Sequence, residues 1–231
     1  VDKTCGETVQ PYQELLALCE SENLPFQMGY VFRNNRAFRF VIEACRAGLL
    51  GDIFDIECDM NHCYGADDYQ QYIGKFKGGI IFNLGSHLID IITMILGRPE
   101  RVFSSLKSVA GDPASLNNGT AILDYPGATA VVRACSREVR GIPGRAFRVA
   151  GTNGTIRFSP VERYDGQPVA LQLTLKNDHG LVKAGNHEFH FDLGNDRYTS
   201  QLTEFAQIIC GEIQDPYTRA HDLLAHETTL R

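Results

Sequence analysis

The chain has 231 residues (25.7 kDa), 43% of them hydrophobic and 22% charged, with 22 Lys and Arg against 28 Asp and Glu for a net charge of -6. Such a length and composition fit one large domain or two small ones and exclude wholesale disorder. The acidic balance argues against binding to nucleic acid or an anionic membrane, and the longest apolar run, Leu88 to Leu96, is broken by Asp90 and Thr93 and too short to span a bilayer.

The start, Val1-Asp2-Lys3-Thr4, has no basic segment followed by an apolar one, so no secretory signal is read there. Seven cysteines without a Cys-x-x-Cys pair read as reduced thiols, and the expected location is cytoplasmic. Thr8 is placed to cap a first helix, in which Val9, Tyr12, Leu15, Leu16 and Cys19 recur at helical spacing until Asn23. Residues 24–30 read as a short buried strand. Asn34 or Asn35 caps a second helix with Ala37, Phe40, Val41, Ala44 and Cys45 on one face, and Gly48 stops it. One strand cannot form a sheet, and no earlier βα unit is present for residues 24–30 to join.

Residues 52–64 alternate as a strand, and Gly78-Gly79 opens a third helix that runs to about Leu96, before Gly97-Arg98-Pro99. Strands are then expected at 101–108, 119–125, 128–136, 145–151, 155–158, 169–176 and 187–193. Tyr125-Pro126-Gly127-Ala128 is expected to form a type II turn, and Gly151-Thr152-Asn153-Gly154 carries an Asn-Gly hairpin signal. A helix begins near Tyr198, is interrupted by Gly211 and Pro216, and is followed by another at 221–230. The implied class is α+β: a large, mainly antiparallel open sheet with helices on one face. Ala121-Ile122-Leu123 and Ala130-Val131-Val132 are apolar on both faces, so the open face is expected to pack on a partner copy in a homodimer or tetramer.

Chemistry concentrates between Gly78 and Asp90. On a helix Asn83 and His87 are four apart and Asp90 three further on, so all three project to one side, beside an apolar stripe of Leu84, Leu88, Ile91 and Ile95. A histidine there is either a general acid or base or a packed residue at a helix–sheet junction. Cys58, His62 and Cys63 raise a zinc site and a metal hydrolase, against which strand geometry turns Cys63 to the opposite face. No metal is expected. The loop from Tyr64 to Lys77, with Tyr69, Tyr72 and Lys75, offers polar contacts to a sugar or is plainly solvated. Arg133, Arg137, Arg140, Arg145 and Arg148 face only Glu138 in sequence, and form either an anion site or a solvated strand face.

Gly78-Gly79, the apolar residues after it, and the spacing from position 83 to His87 to Asp90 resemble the signature of the Gfo/Idh/MocA oxidoreductases. Met28-Gly29-Tyr30-Val31-Phe32-Arg33, Gly48-Leu49-Leu50-Gly51-Asp52-Ile53 and Val149 to Ile156 resemble further family segments in the same order. The resemblance covers nearly the whole chain. It implies an NAD(P)-dependent dehydrogenase of sugars, inositols or related polyols, with a C-terminal domain like that of glyceraldehyde-3-phosphate dehydrogenase. Residues 1–30 would be the remnant of a Rossmann domain and 31–231 the substrate-binding and oligomerisation domain.

No glycine-rich phosphate turn is present, so NAD or NADP is expected in a full-length parent and none on this chain. Asp2-Lys3-Thr4 stands where the family has Glu-Lys-Pro. By that likeness Lys3 and His87 handle the hydroxyl proton and the developing alkoxide, and Lys3 lies beside the cofactor. The alternative for Lys3 is an exposed lysine. Asn83 stands where the family usually has Asp, and an amide cannot accept a proton but can hydrogen-bond a hydroxyl. Arg33, His62, Tyr64 and Asp90 are expected around the substrate, an interdomain ion pair being the alternative for Arg33. The missing phosphate turn and Asn83 keep open a second reading, a non-catalytic binding or assembly module of the same fold.

Overall fold

A computed structural model of the chain describes residues 6–63, 67–109, 115–194 and 196–231. Lys3 and Tyr64 therefore lie outside the described residues. Helix α1 spans Gln10–Ser21, one residue later than Thr8 implies, with Val9 at the cap position, and carries Pro at its first turn. Residues 24–30 are extended but form no strand ladder among the described residues. Their alternation still sends Phe26, Met28 and Tyr30 inward, into a small core shared with Tyr12, Leu16 and Cys19 of α1. A strand needs a neighbour to accept its backbone hydrogen bonds, and none is at hand.

A short 3-10 turn, Val31–Asn34, leads to α2, Arg36–Arg46. Asn35 caps α2, its Oδ1 accepting from the N–H groups of Ala37 (2.9 Å) and Phe38 (3.3 Å). Strand β1 (Ile53–Asp59) follows, then α3 (Asp67–Ile73) inside the segment expected to be a loop. Asp67-Asp68 ahead of Tyr69, Tyr72 and Ile73 at helical spacing was the overlooked signal.

The expected third helix begins at Gly79, but Ile81–Gly85 is a π turn, and the regular helix α4 is Ser86–Leu96. The Ser86 N–H reaches back five residues to the Ile81 carbonyl. Gly79 has φ +50°, and a Cβ there would meet the Leu116 carbonyl oxygen at 2.3 Å, so only glycine allows this entry.

Seven strands follow: β2 Arg101–Lys107, β3 Asn118–Asp124, β4 Thr129–Cys135, β5 Ala146–Gly151, β6 Gly154–Phe158, β7 Val169–Leu175 and β8 Gly185–Phe191. The chain closes with α5, Thr199–Ile209, and α6, Arg219–Leu230, the latter capped by Thr218. The eight strands form one sheet in the order β2-β3-β4-β1-β5-β6-β7-β8. All pairs are antiparallel except β1 with β4.

Sidedness is clear in β7, where Val169, Leu171, Leu173 and Leu175 are buried and Ala170, Gln172 and Thr174 exposed. The buried face joins α2 and α4 in the main core.

Both signalled turns form, with different geometry. Gly127 stays at negative φ, so the Tyr125–Ala128 turn is not type II. The Asn153 turn is a four-residue connection tied down from outside. Its Nδ2 donates to the Leu49 carbonyl (3.1 Å), and its Oδ1 accepts from the Asn177 N–H (3.1 Å). No helix of the described residues is long and apolar enough to cross a membrane.

Candidate functional site

The π turn and the start of α4 lie against one end of β3 and β4. His87 is 4% exposed, and its ring packs against Tyr30 (centroids 6.1 Å apart, edge-on) and Phe32 (5.7 Å). Asn83 is 6% exposed, and its Oδ1 accepts a hydrogen bond from the Tyr69 hydroxyl (3.1 Å). The spacing that groups residues 83, 87 and 90 treats the segment as one α-helix. The π turn adds a residue to the turn holding Asn83, which changes its bearing relative to His87.

Asp90, fully buried, is engaged elsewhere. Its carboxylate receives Nε (3.0 Å) and Nη2 (2.6 Å) of Arg33 and lies 2.9 Å from Nε2 of His221. The same Nη2 is 2.6 Å from Asp222 of α6, and the guanidinium stacks between the rings of Tyr30 and Tyr217. Burial alone pushes the Asp90 carboxyl up, but Arg33 and His221 together hold it below the usual carboxylate value. At Asp222 burial prevails over Arg33, and that carboxyl is raised. Arg33 and Asp90 thus sit together, but in a buried ion cluster that ties the 3-10 turn to α4 and α6.

A second polar cluster was not legible beforehand. Buried Glu162 pairs with Arg145 and with Arg197, and accepts the Tyr164 hydroxyl (2.8 Å). Arg145 also donates to the Asn61 carbonyl (2.8 Å), next to His62. Burial, then the Arg145 charge, pushes the His62 imidazole down to about 3, so it is neutral at physiological pH. Burial raises the Glu162 carboxyl, yet the two guanidinium groups bring it below its ordinary value.

Two adjoining cavities border this cluster. One, of about 380 Å³, is lined by Val31, Phe32, Asn34, Glu162, Leu193 and Arg197. The other, of about 280 Å³, is lined by His62, Ile142, Arg145, Tyr164, Arg197 and Tyr198. Phe32, which touches His87, is also a wall of the larger cavity. The members of this cluster come from chain positions around 62, 145, 162 and 197; His62 and Arg145 stand in other sequence groupings, and no local motif announces Glu162, Tyr164 or Arg197.

The Cys58–His62–Cys63 grouping does not assemble. Cys58 is buried, with Sγ donating to the Val131 carbonyl (3.3 Å), while Cys63 is exposed. Among the described residues no three His, Cys, Asp or Glu side chains are close enough to hold a metal ion. The arginine run is not opposed by Glu138 alone. Arg133 pairs with Asp59 (2.9 Å), Arg148 with Asp55 and Arg145 with Glu162, because the sheet brings carboxylates of β1 and the β6–β7 connection beside it.

Residues 38–157 match the model of the GFO/IDH/MocA C-terminal domain. Over 156 residues the chain is 27% identical to a D-apiose dehydrogenase of Paraburkholderia graminis, covering 66% of this chain and 42% of that protein. It thus spans less than half the length of that curated relative. Among solved structures it is similar to an aldose-aldose oxidoreductase from Caulobacter crescentus complexed with glycerol (TM-score 0.77, 18% identity, 98% of this chain and 66% of that one). It is also similar to a 3-ketoreductase from Actinomadura kijaniata complexed with TDP-benzene and NADP (TM-score 0.76, 15% identity, 99% and 66%). At those identities the structural likenesses establish the fold alone. The family match extends over more than half of the chain, from α2 through β6, and the chain belongs to the GFO/IDH/MocA family.

Proposed function

We propose that this chain is the substrate-binding portion of an NAD(P)-dependent oxidoreductase acting on a sugar, an inositol or a related polyol. The observation that carries the reading is His87, buried at the start of α4 beside a cavity wall, in a chain of this family. The similarity to sugar oxidoreductases supports the substrate class. In this reading His87 takes or returns the proton of the reacting hydroxyl, Lys3 stabilises the alkoxide and lies beside the cofactor, and Asn83 hydrogen-bonds the substrate. His62 and Tyr64 line the substrate's far side. Arg33 and Asp90 hold α4 from behind, since the Asp90 carboxylate and the Nε and Nη2 groups of Arg33 are taken up in the ion cluster.

At the Gly78-Gly79 helix entry the Gly79 N–H bonds the Phe76 carbonyl (3.0 Å) and the Ile80 N–H bonds the Leu116 carbonyl (2.9 Å), so neither amide is open to a phosphate. NAD or NADP is accordingly assigned to the remainder of a longer parent, where it would exchange hydride with the substrate carbon. Residues 1–30 are assigned to the tail of that dinucleotide domain and 31–231 to the substrate domain, with copies meeting at the open sheet face.

The test is a turnover screen of the full-length parent with sugars and polyols and both nicotinamide cofactors. His87→Ala should lower turnover about 10²- to 10⁴-fold, and unchanged turnover removes His87 from the chemistry. Asn83 favours a second reading, a binding module without catalysis. The same screen separates the two: polyol binding with no turnover supports the module.

A further inference from the structure

We infer that the smaller of the two cavities holds a carboxylate of the ligand between Arg145 and Arg197, so that the site takes an acidic sugar derivative, such as an aldonate, in preference to the neutral polyol of the same skeleton. The sugar part of this inference rests on the oxidoreductase reading; the carboxylate rests on the cluster around Glu162.

Glu162, 5% exposed, is shared by the two guanidinium groups, which leaves the cluster a surplus of one positive charge. Arg145, 1% exposed, donates through Nε to the Asn61 carbonyl (2.8 Å) and through Nη1 to Glu162. Its Nη2 has no partner among the described residues and is not one of the fully buried polar atoms, so it opens on the cavity of about 280 Å³ that Arg145 lines. Arg197, on the wall of the same cavity, donates through Nη2 to Glu162, and its Nε and Nη1 have no partner among the described residues. Its guanidinium lies over the rings of Tyr164 (5.8 Å) and Tyr198 (6.0 Å), and the Tyr164 hydroxyl is itself held by Glu162 (2.8 Å), so the donors of Arg197 are kept in place.

Two guanidinium groups that each keep an unused N–H edge suit a planar acceptor with two oxygens. The single surplus charge matches a carboxylate, whereas a phosphate monoester brings close to two negative charges and three terminal oxygens. His62, which lines the same cavity, is neutral at physiological pH and adds no charge. The remaining charged group there, Asp196, is exposed to water, and its two oxygens accept the Tyr198 N–H (2.9 Å) and the Thr199 hydroxyl (2.5 Å), so its charge is screened and its lone pairs are engaged. A hydroxyl in place of the carboxylate would leave the surplus charge of the buried cluster without a counter-ion. Hydrogen bonds between charged groups make the preference for the acid about tenfold or more.

The test titrates D-gluconate and D-glucitol, which share a carbon chain and differ only in a carboxylate against a hydroxymethyl group, into this chain by calorimetry at neutral pH. Gluconate should bind about tenfold more tightly or better. Arg197→Gln leaves Arg145 and Glu162 as a neutral pair, so it should bring gluconate down to the affinity of glucitol with an unchanged circular dichroism spectrum. Arg36→Gln, at an exposed position on the larger cavity, should leave the preference intact. In the ¹⁵N-labelled wild-type chain the Arg197 Nε signal, assigned by its loss in Arg197→Lys, should shift with gluconate and not with glucitol; absence of that shift overturns the inference even where Arg197→Gln does not fold. Equal affinity for the two ligands, no gluconate binding at millimolar concentration, a preference that survives Arg197→Gln or one that is lost in Arg36→Gln overturns it as well. Tighter binding of glucose 6-phosphate than of gluconate replaces the carboxylate by a phosphate and overturns it too. Failure of the oxidoreductase reading shows separately, as absent turnover in the parent while this chain keeps its preference for gluconate.

Discussion

Glu162 receives two guanidinium groups and a phenol, and beside it His62 stays neutral. Both features bear on acid stability. A carboxyl depressed in the folded state contributes stability that is present above its unfolded value and lost as pH falls through the folded one. Glu162 and Asp90 both behave so, while raised Asp222 opposes them in part. His62 has the same sign over a higher window. The unfolded imidazole takes a proton near 6.5 and the folded one only near 3, so stability should drop as pH falls from about 6.5 towards 3. Thermal melting across that range should show the slope, and His62→Gln should flatten its upper part. An unchanged slope in His62→Gln would mean that the guanidinium-flanked imidazole is not what titrates. Of these residues His62 and Asp90 stand out in the sequence, each as part of a different grouping. Glu162, Tyr164 and Arg197 are isolated polar residues in sequence, and only long-range contact makes them a unit.

Arg33 is where separate elements are fastened together. It lies in the 3-10 turn, binds Asp90 on α4 and Asp222 on α6, and its carbonyl accepts the Tyr217 hydroxyl (3.1 Å). Removing one partner of a buried ion cluster strands the others, at a cost of about 3–5 kcal/mol. Arg33→Met should therefore lose about that much in urea unfolding, and a loss below about 1 kcal/mol would show the cluster to be dispensable. Helices α2, α4, α5 and α6 follow local signals of spacing and caps, and were legible. The π turn within Ile81–Gly85 was not, because the i, i+4 pattern looks the same whether or not one extra residue is inserted. The segment 24–30 shows the opposite case: its alternation correctly buries Phe26, Met28 and Tyr30, but a strand is a property of two chains of backbone and not of one.

Across the whole molecule the sheet's open face is more polar than the runs 121–123 and 130–132 imply. Ile122 and Val131 do point outward, next to Phe103 of the edge strand, and this row continues into Glu57 and Arg148. The apolar part is a patch near one edge, with Phe103 half-exposed and Ile122 38% exposed. If copies meet there, the chain should sediment as a dimer or larger, and Ile122→Glu should release a 25.7 kDa monomer with an unchanged circular dichroism spectrum. A wild-type monomer at micromolar concentration would remove the sheet-face contact.

Local periodicity sufficed for the class, for the seven strands after residue 100 and for the prominence of His87, because helix and strand each impose a short repeat on adjacent residues. The position of β1 between β4 and β5, with one parallel pairing, was beyond it. So were the Tyr69–Asn83 bond and the sharing of Glu162 by two arginines. These depend on which buried polar groups meet once the chain has closed on itself. Their partners stand between 14 and 131 residues apart along the chain in the Tyr69–Asn83 and Asp90–His221 contacts, a distance over which sequence carries no repeating pattern to read.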